Sequence, residues 1–286
     1  MKKIPLYTIL VLLLITTMAC SFTVTLPNIE TGPDQTIEIN EAAPDVKVPF
    51  DVDLKIGAAK LDFSGGGKGL LDGTVVYNVI DWKPVITRTS TNLEISQGKV
   101  SNVGGVNVKD IKNIWTLNFS ETTPMNLTID AGAYQGDMDF SGVQLASLAI
   151  HDGASENKVQ FNTLNPIVMS DLEYTTGAST VTMEGLANAN FRNMLFTGGA
   201  GTYTLDFSGT LNQEADVKIE AGVSTIKIII PAGMNAVIEV EGELKTVNTQ
   251  GTWTVNDSAY TTDGQGPVLN INVSTSLGTL TLIQEK

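Results

Sequence analysis

One cysteine, Cys20, and one histidine, His151, occur in the 286 residues of the chain. A single cysteine excludes an internal disulfide framework. It also excludes a cysteine-based metal site or a cysteine nucleophile in the body that follows. A histidine-centred triad would rest on His151 alone. Positive charge is scarce too: 17 Lys+Arg stand against 31 Asp+Glu, a formal net charge of −14. Such a surface repels phosphate backbones and anionic lipid, so nucleic acid is not expected as a partner. The apolar run from Ile4 to Ile15 is shorter than the roughly 20 residues of a membrane-spanning helix.

What is present is a repeat. An apolar-x-apolar pair recurs as Leu117/Phe119, Met138/Phe140, Val159/Phe161, Val181/Met183, Leu205/Phe207 and Ile226/Ile228, at steps of 21, 21, 22, 24 and 21. A second series runs in phase: Leu127/Ile129, Leu148/Ile150, Leu172/Tyr174, Met194/Phe196, Val217/Ile219 and Ile238/Val240, at steps of 21, 24, 22, 23 and 21. Alternation with period two denotes strands with one buried face. A constant period above twenty residues denotes stacked supersecondary units. Two short strands per unit, with turns between them, describe one rung of a β-solenoid. Leu93/Ile95 extend the first series back one rung, and Val106/Val108 extend the second. Turn glycines are expected at Gly132, Gly153, Gly177, Gly201 and Gly222, and a second set at Gly142, Gly185 and Gly209. Alternation leaves strand direction open, because antiparallel meanders stacked at one period read the same way. Pro231, which cannot donate to a ladder, is expected to end the strand at Ile228–Ile230. Leu269, Ile271 and Val273, then Leu280 and Leu282, read as final strands covering the last rung.

The N-terminus reads as an export signal. Lys2 and Lys3 precede the apolar run, and Thr17-Met18-Ala19 precedes Cys20. This segment resembles a bacterial lipoprotein signal with its lipobox. Thr17 departs from the leucine usual at that position. The resemblance implies cleavage before Cys20 and acylation of that cysteine, hence a membrane partner through the lipid. Loss of Lys2 and Lys3 would leave a charge of 15 − 31 = −16. Pro27, Pro33 and Pro44 then interrupt an acidic spacer.

Residues 57–97 carry an ordered set of short motifs. They are Gly57-Ala58, Leu61 to Gly66, Leu70 to Gly73, Tyr77 to Val79, Trp82 to Pro84 and Leu93 to Gln97. In order and kind they resemble the toast-rack domains of bacterial envelope proteins. Those in turn are similar to adhesin-like proteins and to the C-terminal region of cell-wall-active-antibiotic response proteins. The resemblance implies stacked strands outside a bacterial membrane and carries no catalytic residues over. The expected division is a signal at 1–19, a tether at 20–34, toast-rack-like strands at 35–99, a β-solenoid at 100–256 and capping strands at 257–286.

Candidate chemistry is thin. His151 lacks a second histidine with which to share a metal. Asp51/Asp53, Asp137/Asp139 and Glu239/Glu241/Glu243 place carboxylates on one face of a strand, as calcium requires, though a solvated face has the same pattern. Gly65-Gly66-Gly67-Lys68-Gly69 lacks phosphate-loop spacing and reads as a turn. Trp82, Trp115, Trp253, Tyr134 and Tyr203 could form a sugar platform or pack at the core and ends. No metal, cofactor or catalytic residue is expected. The reading is an all-β, lipid-anchored envelope solenoid that binds an envelope protein or polysaccharide. It would act as an interaction, adhesion or sensing module. The alternatives are a polysaccharide-acting enzyme on a β-helix and a passive spacer.

Overall fold

A computed structural model describes residues 31–45, 48–98, 111–242 and 246–285. Cys20 with its signal, Val106/Val108 and Glu243 lie outside them. The described residues form one 16-stranded sheet. Its body is a stack of long parallel strands: β2 (Phe50–Gly67), β7 (Met125–Asp139), β8 (Leu145–Gln160), β9 (Met169–Glu184), β10 (Phe191–Asp206), β11 (Ala215–Ile230) and β16 (Gln265–Gln284). The parallel pairing settles the direction left open by alternation. The chain coils, and each rung hydrogen-bonds to the next about 4.8 Å away. β11 ends at Ile230, before Pro231, as expected.

Each rung is one strand bent at its middle. The two short strands expected per rung are the halves of this strand. Leu127 and Met138 are inward positions of β7, and Leu148 and Val159 are their partners in β8. Residues of both halves share one buried column, with Leu127 1%, Ile129 0%, Met138 0% and Phe140 1% exposed. Phe63, Phe119, Phe140 and Phe161 stack along it with centroids 5.7, 5.9 and 6.1 Å apart.

The bend is built on glycine. Gly57, Gly132, Gly153, Gly177, Gly199 and Gly222 stand in one column on successive rungs. A Cβ on each of the last five would lie 2.2–2.9 Å from the carbonyl oxygen of the glycine one rung before. Only a residue without a side chain allows the backbones to stack there. These glycines are therefore mid-strand, where the sequence suggested turns. The place expected for Gly201 in this column is held by Gly199. Gly142, Gly185 and Gly209 do occupy turns between rungs, with φ of 79°, 71° and 110°.

Register corrects the first apolar series. Val159 pairs with Met183, Met183 with Leu205 and Leu205 with Ile228. The partner of Val159/Phe161 is thus Met183/Gly185, not Val181/Met183. From Met138 the steps become 21, 24, 22 and 23, identical to those of the second series from Leu127. Rung length is constant, and the variation lies wholly in the connecting turns.

The ends are interleaved. β5 (Asn92–Ser96) pairs with the first half of β2, and β6 (Asn113–Ser120) with the second half. Together they form a rung outside β2, although they follow it in sequence. Leu93 and Ile95 therefore join Val52 and Leu54 in line with Leu127 and Ile129 of the second series, not with the first series. At the other end, β16 lies between β11 and a split rung of β12 (Met234–Gly242) and β13 (Thr246–Gln250). The strands holding Leu269–Val273 and Leu280/Leu282 are one inserted strand and do not cover the last rung. Antiparallel strands close the ends. β3 (Leu71–Tyr77) pairs with β6, and β1 (Gln35–Glu41) with β3. β4 (Val85–Arg88) pairs with β5. β15 (Ala259–Thr261) pairs with both β12 and β14 (Thr254–Asn256).

Candidate functional site

The outward residues of the first half-strands of β9, β10, β11, β16 and β12 form an elongated groove of about 840 Å³. Alternation puts Asp171, Asn193, Asp216, Asn270 and Val237 in one row across the rungs, and Glu173, Leu195, Lys218, Asn272 and Glu239 in the next. Five carboxylates line the groove (Asp171, Glu173, Asp216, Glu239 and Glu241) against one lysine, Lys218. The donors are already engaged. Asn193 Nδ2 donates to Asp171 at 3.2 Å, Asn270 Nδ2 to Asp216 at 3.0 Å, and Asn272 Nδ2 to Glu241 at 3.2 Å. Lys218 pairs with Glu220 at 2.8 Å. What the groove offers a ligand is oxygen acceptors and negative charge over a floor that includes Leu195 and Val237.

Sequence reasoning singled out Glu239 and Glu241 as part of a carboxylate set with Glu243, but missed the groove that they line. Asp171, Asn193 and Asp216 recur at steps of 22 and 23, the rung period, on outward positions. Applying the period to polar residues would have found these three. Asn270 and Asn272 could not be placed, because β16 enters the stack out of sequence order.

A second polar cluster lies inside the bend. Asp152 is the inward residue before Gly153. Its Oδ2 accepts from Tyr134 at 3.1 Å, Tyr174 at 2.9 Å and Ser155 at 3.0 Å. Its Oδ1 accepts from Thr176 and, at 3.2 Å, from Ser179. Asn157 Nδ2 donates to both tyrosine oxygens at 2.9 Å. Burial, followed by the neighbouring tyrosine and the Asp152 charge, holds the Tyr134 hydroxyl far above its ordinary range. Burial and Asp152 likewise raise Tyr174. A carboxylate saturated by five hydroxyls has no lone pair to spare for a substrate. This cluster holds rungs together.

The other residues singled out from sequence disperse. His151 faces outward, with Nδ1 2.8 Å from Asp130 and Nε2 3.5 Å from Glu173, one rung to either side. Asp51 and Asp53 accept from Asn126 and Asn92 at 2.8 and 2.6 Å. Asp137 accepts from Gln160 at 3.1 Å, and Asp139 from Asn162 at 3.1 Å. Among the described residues no group of three or more His, Cys, Asp or Glu is arranged to hold a metal. The sugar platform does not form: Trp82 is 4%, Trp115 0%, Tyr134 5% and Tyr203 0% exposed. Trp253 packs partly buried against the core. Lys68 is in a turn, its backbone N–H donating to Asp72 at 2.6 Å.

Residues 28–164 and 163–229 match the family described as the N-terminal domain of toast_rack, DUF2154. Solved structures are also similar. A candidate cell adhesion protein from Clostridium sporogenes is 21% identical over 88% of this chain and 100% of its own, at a TM-score of 0.49. A candidate adhesin from Bacteroides fragilis is 11% identical over 87% and 97%, at 0.35. A candidate lipid binding protein from Parabacteroides distasonis is 11% identical over 89% and 98%, also at 0.35. No curated protein matches.

Proposed function

We propose, from the premise that the chain belongs to the toast-rack family, that it is a non-enzymatic interaction module of the cell envelope. In this reading the rod is tethered by a lipid on Cys20 through the spacer at 20–34, and adhesion or envelope sensing is its task. The observation that carries the reading is the groove across β9, β10, β11, β16 and β12, whose five carboxylates face outward with one lysine among them. An acceptor-rich, negative groove is complementary to a cationic segment of a protein, and such complementarity favours fast, salt-sensitive association.

The test uses the chain from Ser21 onward, which keeps every described residue. A lysine-rich peptide and neutral polysaccharides are titrated against it over a salt series. The expected result is saturable peptide binding that weakens with salt and falls at least about tenfold when Glu173 and Glu239 are both changed to Gln, equivalent to about 1.4 kcal/mol. Peptide binding unaffected by salt and by these changes would refute the groove. Cleavage of a polysaccharide would refute the non-enzymatic reading. Release of the full-length chain from membranes by Cys20→Ser is expected if the lipid is the anchor.

A further inference from the structure

The inner side of the bend is polar beyond the Asp152 cluster. Register places Thr176 and Ser179 of β9 in line with Gly198 and Gly201 of β10, then Ala221 and Ser224 of β11, then Thr275 and Gly278 of β16. Inward side chains three residues apart meet across the bend. On β8 Ser155 donates to Asp152 at 3.0 Å, and on β9 Thr176 and Ser179 share a hydrogen bond. On the next three rungs the network stops. The hydroxyls of Tyr203, Ser224 and Thr275 belong to residues 0%, 6% and 3% exposed, and have no hydrogen-bond partner among the described residues. The Tyr203 ring leans back over its own bend, with its oxygen 2.8 and 2.9 Å from where a Cβ on Gly198 and on Gly201 would lie. The three oxygens therefore follow one another on β10, β11 and β16.

We propose that this column is a site for buried water, with one molecule held between Tyr203 and Ser224 and a second between Ser224 and Thr275. Groups one rung apart, at about 4.8 Å, are too far for a direct hydrogen bond between hydroxyls. A water about 2.8 Å from each spans that gap. No neighbouring side chain can take its place. Ser224 faces Gly201 on one side and Gly278 on the other, and Thr275 faces Ala221 and Gly242. The same small residues leave room. The bend of β9 admits a threonine and a serine together, whereas β11 and β16 each hold one hydroxyl residue beside an alanine or a glycine. A buried hydroxyl left unpaired is unfavourable, and a buried water needs two or more polar partners, so each meets the other's requirement. A cation suits the column less well: the carboxylate nearest to it inside the bend, Asp152, is already saturated by hydroxyls. The waters carry the polar seam of the bend on from β9 to β16.

Removing the hydroxyls tests this in the chain from Ser21 onward, because the sign of the effect differs. Loss of an unpaired hydroxyl from a dry interior leaves the protein as stable or more so; loss of one that holds water destabilises it. Thr275→Val, which keeps the shape, and Ser224→Ala should each lower the folding constant about threefold to tenfold, read from the urea midpoint at unchanged slope. Tyr203→Phe with Ser224→Ala should lose less than the sum of the two, since both release the same water. A high-resolution crystal structure should show solvent peaks about 2.8 Å from both oxygens of each pair. Unchanged or raised stability in Thr275→Val and Ser224→Ala would overturn the proposal. So would a crystal structure in which the three hydroxyls bond directly to protein groups, or one in which a metal ion occupies the peaks.

Discussion

Gly177→Ala tests the glycine column, and its cost can be worked from the geometry. The new Cβ would lie 2.4 Å from the Gly153 carbonyl oxygen, where ordinary contact begins at 3.4 Å. The rungs must therefore part locally by about 1 Å against a spacing of about 4.8 Å that their hydrogen bonds hold. Overpacking of this kind costs about 1–3 kcal/mol. The stiffer unfolded chain offsets about 0.4–1 kcal/mol of it. Gly177 is not among the glycines with positive φ, so backbone strain adds nothing. The expected net loss is about 1–2 kcal/mol, read as a lower urea midpoint with the slope unchanged. Gly32→Ala is the comparison, because its nearest atom would be 3.8 Å away. It should be neutral or slightly stabilising. Gly199→Ala faces the Gly177 oxygen at 2.2 Å. Moving β9 away from β8 to relieve the first contact tightens the second, so the double variant should lose more than the sum. If Gly177→Ala proved as stable as Gly32→Ala, the close-stacked column would be wrong.

Three further outcomes follow from the interior. Phe161→Ala removes a ring that is 1% exposed and stacked at 6.1 Å on Phe140, and should cost about 3–5 kcal/mol in urea unfolding. Asp152→Ala strips the acceptor from the hydroxyls of Tyr134, Tyr174, Ser155, Thr176 and Ser179 and should cost at least about 1–3 kcal/mol, more than Tyr174→Phe in the same assay. Tyr134 and Tyr174 have hydroxyl pKa values raised in the fold above the ordinary 10.0, so the unfolded chain loses these protons first. Their stabilising effect is complete below pH 10.0 and declines as pH rises above it. Tyrosinate absorbance should therefore show these two ionising only together with loss of the β-sheet signal.

The period, the all-β class and the inward residues were legible because burial of one strand face imposes alternation, and stacking imposes a constant repeat. The slip at Val181/Met183 has a physical reason. Val181 and Met183 are both inward and apolar, so the apolar-x-apolar pattern does not say which of them continues the Val159 position, and only hydrogen-bond register separates the choices. Gly199 and Gly201 were confused because both positions need glycine: a Cβ at Gly199 would lie 2.2 Å from the Gly177 carbonyl oxygen, and one at Gly201 would lie 2.0 Å from the Ser179 carbonyl oxygen and 2.9 Å from the Tyr203 hydroxyl. Strand direction and the insertion of β2 and β16 leave no local trace, since an inserted strand has the same alternation as a sequential one. The groove stayed hidden with them, because β16 supplies part of its lining.

Paired cysteines test that insertion most directly. Asp216 pairs with Asn270, and Asn270 with Val237. Parallel neighbours at about 4.8 Å are within disulfide range, whereas strands two rungs apart, at roughly 10 Å, are not. With the chain from Ser21 onward, which has no other cysteine, the 216/270 and 237/270 pairs should oxidise readily and the 216/237 pair should stay reduced. Rapid oxidation of 216/237, with 270 failing to pair with one of them, would contradict the inserted strand and the groove built on it.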